Sequence, residues 1–217
     1  MEGYGLSVQV AVSNAITRGI DHGHVALLVN GRAYSYGRYG EERTSISGDG
    51  VLRIYYDADE YLNLTRKDGE DISVYTLNLT ASEAEKIIEY YEGNRMPYYH
   101  DSNKRPNHQS FTYSDPKGSY EILFGDNCAT VVIEAIHAGR PGSMNLLTGD
   151  PNIPVSPWGL NHALMFDLHT NHTLVIDYYY MGRLPNESRV SNRSGGAEQG
   201  NWDPMNRVAF SDTRNGW

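Results

Sequence analysis

Gly23-His24-Val25-Ala26-Leu27-Leu28-Val29-Asn30-Gly31-Arg32-Ala33-Tyr34-Ser35-Tyr36-Gly37 is the stretch on which the reading of this chain turns. Two runs of apolar and β-favouring residues flank Asn30-Gly31, a dipeptide that readily supplies the two positive φ angles of a type I′ turn. With those two residues as the loop, Val29 faces Arg32, Ala26 faces Ser35 and His24 faces Gly37. Side chains alternate along a strand, so His24, Ala26, Ser35 and Gly37 share one face while Tyr34 and Tyr36 take the other. His24 and Ser35 become diagonal neighbours.

About a hundred residues downstream, Gly125-Asp126-Asn127 gives way to a helical pattern with apolar positions at 128, 131, 132, 135 and 136. Asp126 or Asn127 can cap this helix, and Gly139 followed by Pro141 can stop it. Cys128, the only cysteine in the chain, then lies in the first helical turn, where the helix dipole favours a thiolate. A lone cysteine forms no internal disulfide, which leaves the thiol free for chemistry.

Other elements follow from local pattern. Strands are expected at 6–12, 51–56 and 73–79, and Thr80-Ala81-Ser82-Glu83 is a capping box that opens a helix burying Ala84, Ile87, Ile88 and Tyr91. The acidic Asp57-Ala58-Asp59-Glu60 lacks the spacing of a calcium loop and reads as a solvated loop. Residues 93–117 read as a long polar loop. The stretches 163–168 and 173–180 read as a second hairpin, and 184–217, rich in Asn, Ser, Arg and Gly, as a polar appendage to a 1–183 domain.

Composition narrows the function. The 217 residues carry a formal net charge of -9, and without clustered Lys and Arg a nucleic-acid ligand is not expected. No apolar run reaches the roughly 20 residues of a membrane span, and no basic-then-apolar leader opens the sequence, so neither membrane insertion nor a signal peptide is expected. Seventeen tyrosines against four phenylalanines fit half-buried strands, and also sugar or peptide surfaces.

A cysteine nucleophile needs an imidazole to take and return its proton, and a third polar group to orient that ring. Cys128 at a helix start and His24 at a strand start are both held by regular structure. Gly23-His24-Val25 with its Asn-Gly hairpin, followed late by Asn127-Cys128 opening a helix, resembles the circularly permuted branch of the NlpC/P60 papain-like superfamily. The resemblance covers residues 20–140. It implies an α+β fold in which a central antiparallel sheet packs against the cysteine helix. It also implies a Cys-His amidase or peptidase with Cys128 as nucleophile and His24 as base, and no cofactor or metal.

The absence of a leader on such a domain further resembles type VI secretion effector amidases. Those are made in the bacterial cytoplasm, carried by a secretion system into a rival's periplasm, and countered by an immunity protein; peptidoglycan peptide is the implied substrate. At the third position the family places His, Asn, Gln or an acidic residue, whereas here the same-face candidate is Ser35. Tyr36 takes its place if the register slips by one, or a backbone carbonyl serves. The Cys128 amide is the natural oxyanion donor.

His162 offers the unpermuted order, and Asp21, His22 and His24 an incomplete zinc set. A lipid acyltransferase or thioesterase of the same superfamily, which calls for an exposed apolar anchor, and a non-catalytic carbohydrate-binding module are the alternatives.

Overall fold

The computed structural model describes residues 7–14, 23–38, 47–94, 99–113, 119–121, 127–143, 155–170 and 173–184. All of them belong to one compact unit. The strands are β1 (Val8–Asn14), β2 (His24–Val29), β3 (Arg32–Gly37), β4 (Ser47–Tyr55), β5 (Asp71–Leu77), β6 (Tyr99–Lys104), β7 (His108–Tyr113), β8 (Ser119–Glu121) and β9 (Val175–Met181). The helices are α1 (Ala58–Lys67), α2 (Ala81–Glu89), α3 (Cys128–Gly139) and α4 (Pro157–His169). Eight strands form one antiparallel sheet in the order β6-β7-β4-β3-β2-β1-β5-β9, and β8 pairs with the start of β4.

The β2–β3 hairpin has the expected register, with Val29 opposite Arg32 and Ala26 opposite Ser35. Asn30 and Gly31 take φ of 50° and 76°, as a type I′ turn requires. This register sorts the sheet into two faces. Val25, Leu27, Val29, Tyr34, Tyr36, Leu52 and Tyr75 join the core that holds α2, α3 and α4. Ala26, Leu28, Ala33, Tyr55 and Val74 join a second, smaller core closed by Tyr61 and Leu62 of α1.

Tyr34 and Tyr75 follow the rule that a hydroxyl taken from water finds a partner. Tyr34 donates to Glu92 at 2.5 Å and Tyr75 to Asn161 at 2.7 Å. Tyr34 also stacks on Tyr91, with ring centroids 4.7 Å apart. Burial, with Glu92 beside it, pushes the Tyr34 hydroxyl above its ordinary pKa, so it remains a donor.

Four segments differ from the sequence expectation. Residues 58–67 are helix: Asp57 is the N-cap, its carboxylate accepting from the Asp59 and Glu60 amides at 2.8 and 3.1 Å. Residues 163–168 are helix as well. Ser156 caps α4, Pro157 occupies its first turn, and Leu160 and Leu164 are buried one turn apart, so the apolar spacing is four, not two. β9 pairs with β5 instead of forming a hairpin. Within 93–117, β6 and β7 form an antiparallel ladder that extends the sheet beyond β4. The expected appendage lies outside the described residues from 185 onward. No helix among the described residues is long and apolar enough to cross a membrane.

The capping box is present: Thr80 accepts from the Glu83 amide, and the Glu83 carboxylate accepts from Thr80. The Arg140 guanidinium, 2.8 Å from that carboxylate, together with Thr80 holds the Glu83 pKa down to about 2. The same junction draws α2 and α3 together at Gly139, where a methyl group would lie 2.7 Å from the Glu83 carbonyl oxygen and 2.9 Å from Ile87 Cγ1. Gly139→Ala therefore destabilises the fold by about 1–2 kcal/mol, the overlap with backbone outweighing the gain in helix propensity. The urea midpoint measures this; a midpoint equal to or above wild type contradicts it.

Candidate active site

α3 begins where the Asn127 side chain captures the Ala129 and Thr130 amides at 2.9 and 3.0 Å. Asn127 Nδ2 in turn donates to the Val155 carbonyl at 2.9 Å, which ties the helix start to the segment leading into α4. Cys128 is thus the first residue of α3, as the turn signal implied, and it is 1% exposed. Its sulfur accepts from the Tyr120 hydroxyl at 3.9 Å. Burial pushes the thiol pKa above its ordinary value of 9.0; the Val25 amide, the Tyr120 hydroxyl and the Ala129 and Cys128 amides oppose that rise without cancelling it. Desolvation therefore outweighs the helix start, and the resting group is a thiol.

His24 opens β2 and is partly exposed. Its Nε2 lies 2.7 Å from the Ser35 hydroxyl, the diagonal contact that the hairpin register implies. Both residues line a cavity of about 260 Å³ beneath α1, with Arg38, Arg53, Tyr55 and Tyr61 among the other walls. Gly23, immediately before His24, takes φ +75°, and a Cβ there would lie 2.6 Å from the Ser13 carbonyl oxygen. Only glycine fits that approach without strain.

The structure therefore brings His24 and Ser35 together and places Cys128 across the sheet from them. Cys128 packs in the α3-side core with Val25 and Leu27, whereas His24 and Ser35 face α1 with Tyr61. The cause is the two-residue period of β2: successive side chains leave on opposite faces. The two halves still meet at the backbone, since the thiol lies against the amide of Val25, the residue bonded to His24. Tyr36 is on the Cys128 side, its ring 5.8 Å from that of Tyr120, so Ser35 and not Tyr36 shares the His24 face.

His162 is an exposed residue of α4, its ring tilted at 56° to that of Trp158 with centroids 4.1 Å apart, and it opens no strand. Asp21 and His22 lie outside the described residues. Among the described residues, no three His, Cys, Asp or Glu side chains are grouped to hold a metal ion.

Sequence reading missed most of the cavity wall, because it rests on α1. Asp57, three residues before Glu60 and just ahead of an apolar pair at 61–62, was the available signal for that helix. It also missed the exposed pair Trp158 and Phe166, 68% and 63% accessible, which only helical spacing makes visible. No family model, curated protein or solved structure matches this chain.

The raised thiol pKa has a defined sign. A group whose folded pKa lies above its unfolded value stabilises fully below the unfolded value and loses that contribution as pH rises past it. Native stability is therefore expected to fall as pH rises past about 9.0. The slope should be shallower in Cys128→Ala when the two proteins are compared by urea denaturation from pH 7 to 10. Equal slopes would mean that the thiol is not desolvated.

Proposed function

We propose that this chain is a cysteine hydrolase that cleaves an amide bond, with Cys128 as nucleophile, His24 as base and Ser35 orienting the imidazole. The observation that carries the reading is the convergence on one peptide unit: the thiol at the start of α3 touches the Val25 amide, and the adjoining His24 ring is held by Ser35 at 2.7 Å. Amide cleavage then proceeds by attack of the sulfur on the carbonyl carbon, with the Cys128 proton passing to His24 and on to the leaving amine. Water, deprotonated by His24, hydrolyses the acyl-enzyme and restores the thiol.

For the first transfer the imidazole must leave Ser35 and come round the N-terminal end of β2, where it is the first strand residue. The helix-start amides supply the positive field for the oxyanion. Peptidoglycan peptide is the proposed substrate. The proposed setting is that of an antibacterial effector made in a bacterial cytoplasm, delivered by a secretion system to a target periplasm and neutralised by an immunity protein. These follow from the resemblance to permuted NlpC/P60 enzymes and effector amidases.

A second reading has an observation of its own. A thiol 1% exposed with its pKa raised suits a structural cysteine, and the cavity then serves a non-catalytic binding module. The lipid acyltransferase reading calls for an apolar anchor, and Trp158 and Phe166 offer one.

Incubation of purified peptidoglycan with wild type, Cys128→Ala and His24→Ala separates these readings. Soluble muropeptides released by wild type and by neither folded variant are the expected result. Release that persists in Cys128→Ala would remove the thiol from the mechanism. No release, with radiolabelled phospholipid deacylated instead, would transfer the dyad to lipid chemistry.

A further inference from the structure

The atoms of His24 and Ser35 that meet on the α1 side of the sheet are those that a serine hydrolase brings together. Ser35 stands opposite Ala26 in the hairpin register, and His24 is two residues before Ala26. Alternation therefore sends both side chains to the same face. His24 Nε2 lies 2.7 Å from Ser35 Oγ. With the ring proton on Nδ1, the serine hydroxyl donates to Nε2, which is how an imidazole takes the proton of an attacking hydroxyl.

Both residues line the cavity of about 260 Å³ beneath α1, so the pair borders space that can hold an acyl group. Tyr55 and Tyr61, with ring centroids 5.0 Å apart, and Leu64 add apolar stretches to its wall, which suit a hydrocarbon or aryl portion. The volume falls just below the roughly 300–1,000 Å³ of drug-sized sites, which restricts the occupant to a short chain. The backbone narrows the class further. Ser35 is paired on both sides, with Ala26 of β2 and with Arg53 of β4, so its amide belongs to the sheet ladder and is withheld from an oxyanion. Cleavage of an amide, with its poor leaving group, depends most on that support. An ester with a good leaving oxygen depends on it least.

We propose that Ser35 is a second nucleophile, activated by His24, and that the cavity beneath α1 hydrolyses short acyl esters. Ser35 Oγ attacks the ester carbonyl carbon while its proton passes to His24 Nε2. The bond from that carbon to the leaving oxygen breaks, and the departing alkoxide takes the proton from Nε2, which leaves acyl-Ser35. Water then attacks the acyl carbon and gives a proton to Nε2; the bond to Oγ breaks, and Oγ recovers that proton. The inference goes beyond the Cys128 reading and does not rest on it. In the Cys128 reaction the ring leaves Ser35, whereas here it acts where the structure holds it.

Diisopropyl fluorophosphate, which phosphorylates an activated hydroxyl with loss of fluoride, is the first probe. Incubated with the full wild-type chain and followed by peptide mass mapping, it is expected to place its adduct on Ser35. Labelling should be about a hundredfold slower in folded His24→Gln, the scale of losing a general base. The second probe is 4-nitrophenyl acetate, given to the full chain carrying Cys128→Ala so that the thiol contributes nothing. Saturable hydrolysis is expected, and adding Ser35→Ala should lower the rate about a hundredfold. Should that variant fail to fold, Ser35→Cys in the same chain should be alkylated by iodoacetamide at a rate that His24→Gln lowers. No adduct on Ser35, an adduct that forms equally fast in His24→Gln, or ester hydrolysis indifferent to Ser35 overturns the proposal. Labelling of Ser35 in a protein that releases no muropeptide upholds this site and removes the Cys128 hydrolase; muropeptide release without labelling does the opposite.

Discussion

The two-residue period of β2 and β3 is the constraint from which the rest of the molecule follows. The Asn30-Gly31 turn fixes which residues stand opposite one another, and that register sends Val25, Leu27, Val29, Tyr34 and Tyr36 to one side of the sheet. These include both tyrosines of the hairpin, and the thicker layer of α2, α3 and α4 covers them. The other side receives Leu28 together with the small residues Ala26, Ala33 and Ser35 and is covered by α1. A one-residue slip would exchange the two sets, placing small residues against α3 and buried tyrosines against α1.

The same constraint governs the thiol. α3 is apolar around most of its circumference and buries Val131, Val132, Ile133 and Ile136, so it sits deep and brings its first residue with it. Two opposed effects then act on Cys128. The helix start and the Val25 amide direct N–H groups at the sulfur, which favours the thiolate, while full burial removes the water that would solvate it. Burial wins in this conformation. On the proposed hydrolase reading, activation by the His24 imidazole would have to supply what solvent does not.

How far the sequence disclosed this depends on how local the determinants are. The hairpin, the Thr80 capping box and the Asn127 cap were legible, because each is fixed by residues within four positions of one another. So was the contact between His24 and Ser35, which follows from turn type and alternation. α1 and α4 were not. Asp57-Ala58-Asp59-Glu60 puts acidic residues in the first helical turn, where the dipole welcomes them, but out of context such a cluster reads as solvated loop. Ala163–Leu168 is a short apolar run that fits helix or strand equally, and only Ser156-Pro157 ahead of it marks a helix start. The β6–β7 ladder is polar along much of its length, so no alternation of apolar residues announced it.

The face assignment of His24 and Cys128 shows what pattern reading leaves out. Each residue was placed in its element, and the two elements were expected to meet; both hold. The face from which α3 approaches β2 was the missing fact, and it is the face to which the register sends Val25 and Leu27 of β2 with Tyr34 and Tyr36 of β3. His24 consequently has two neighbourhoods: through its side chain it belongs to the cavity with Ser35, Arg53 and Tyr61, and through its main chain it adjoins the amide that touches the thiol. On the proposed hydrolase reading the two sides of the sheet are coupled at a strand end: His24 is the first residue of β2, preceded by a glycine at φ +75° and paired with Ser13 of β1.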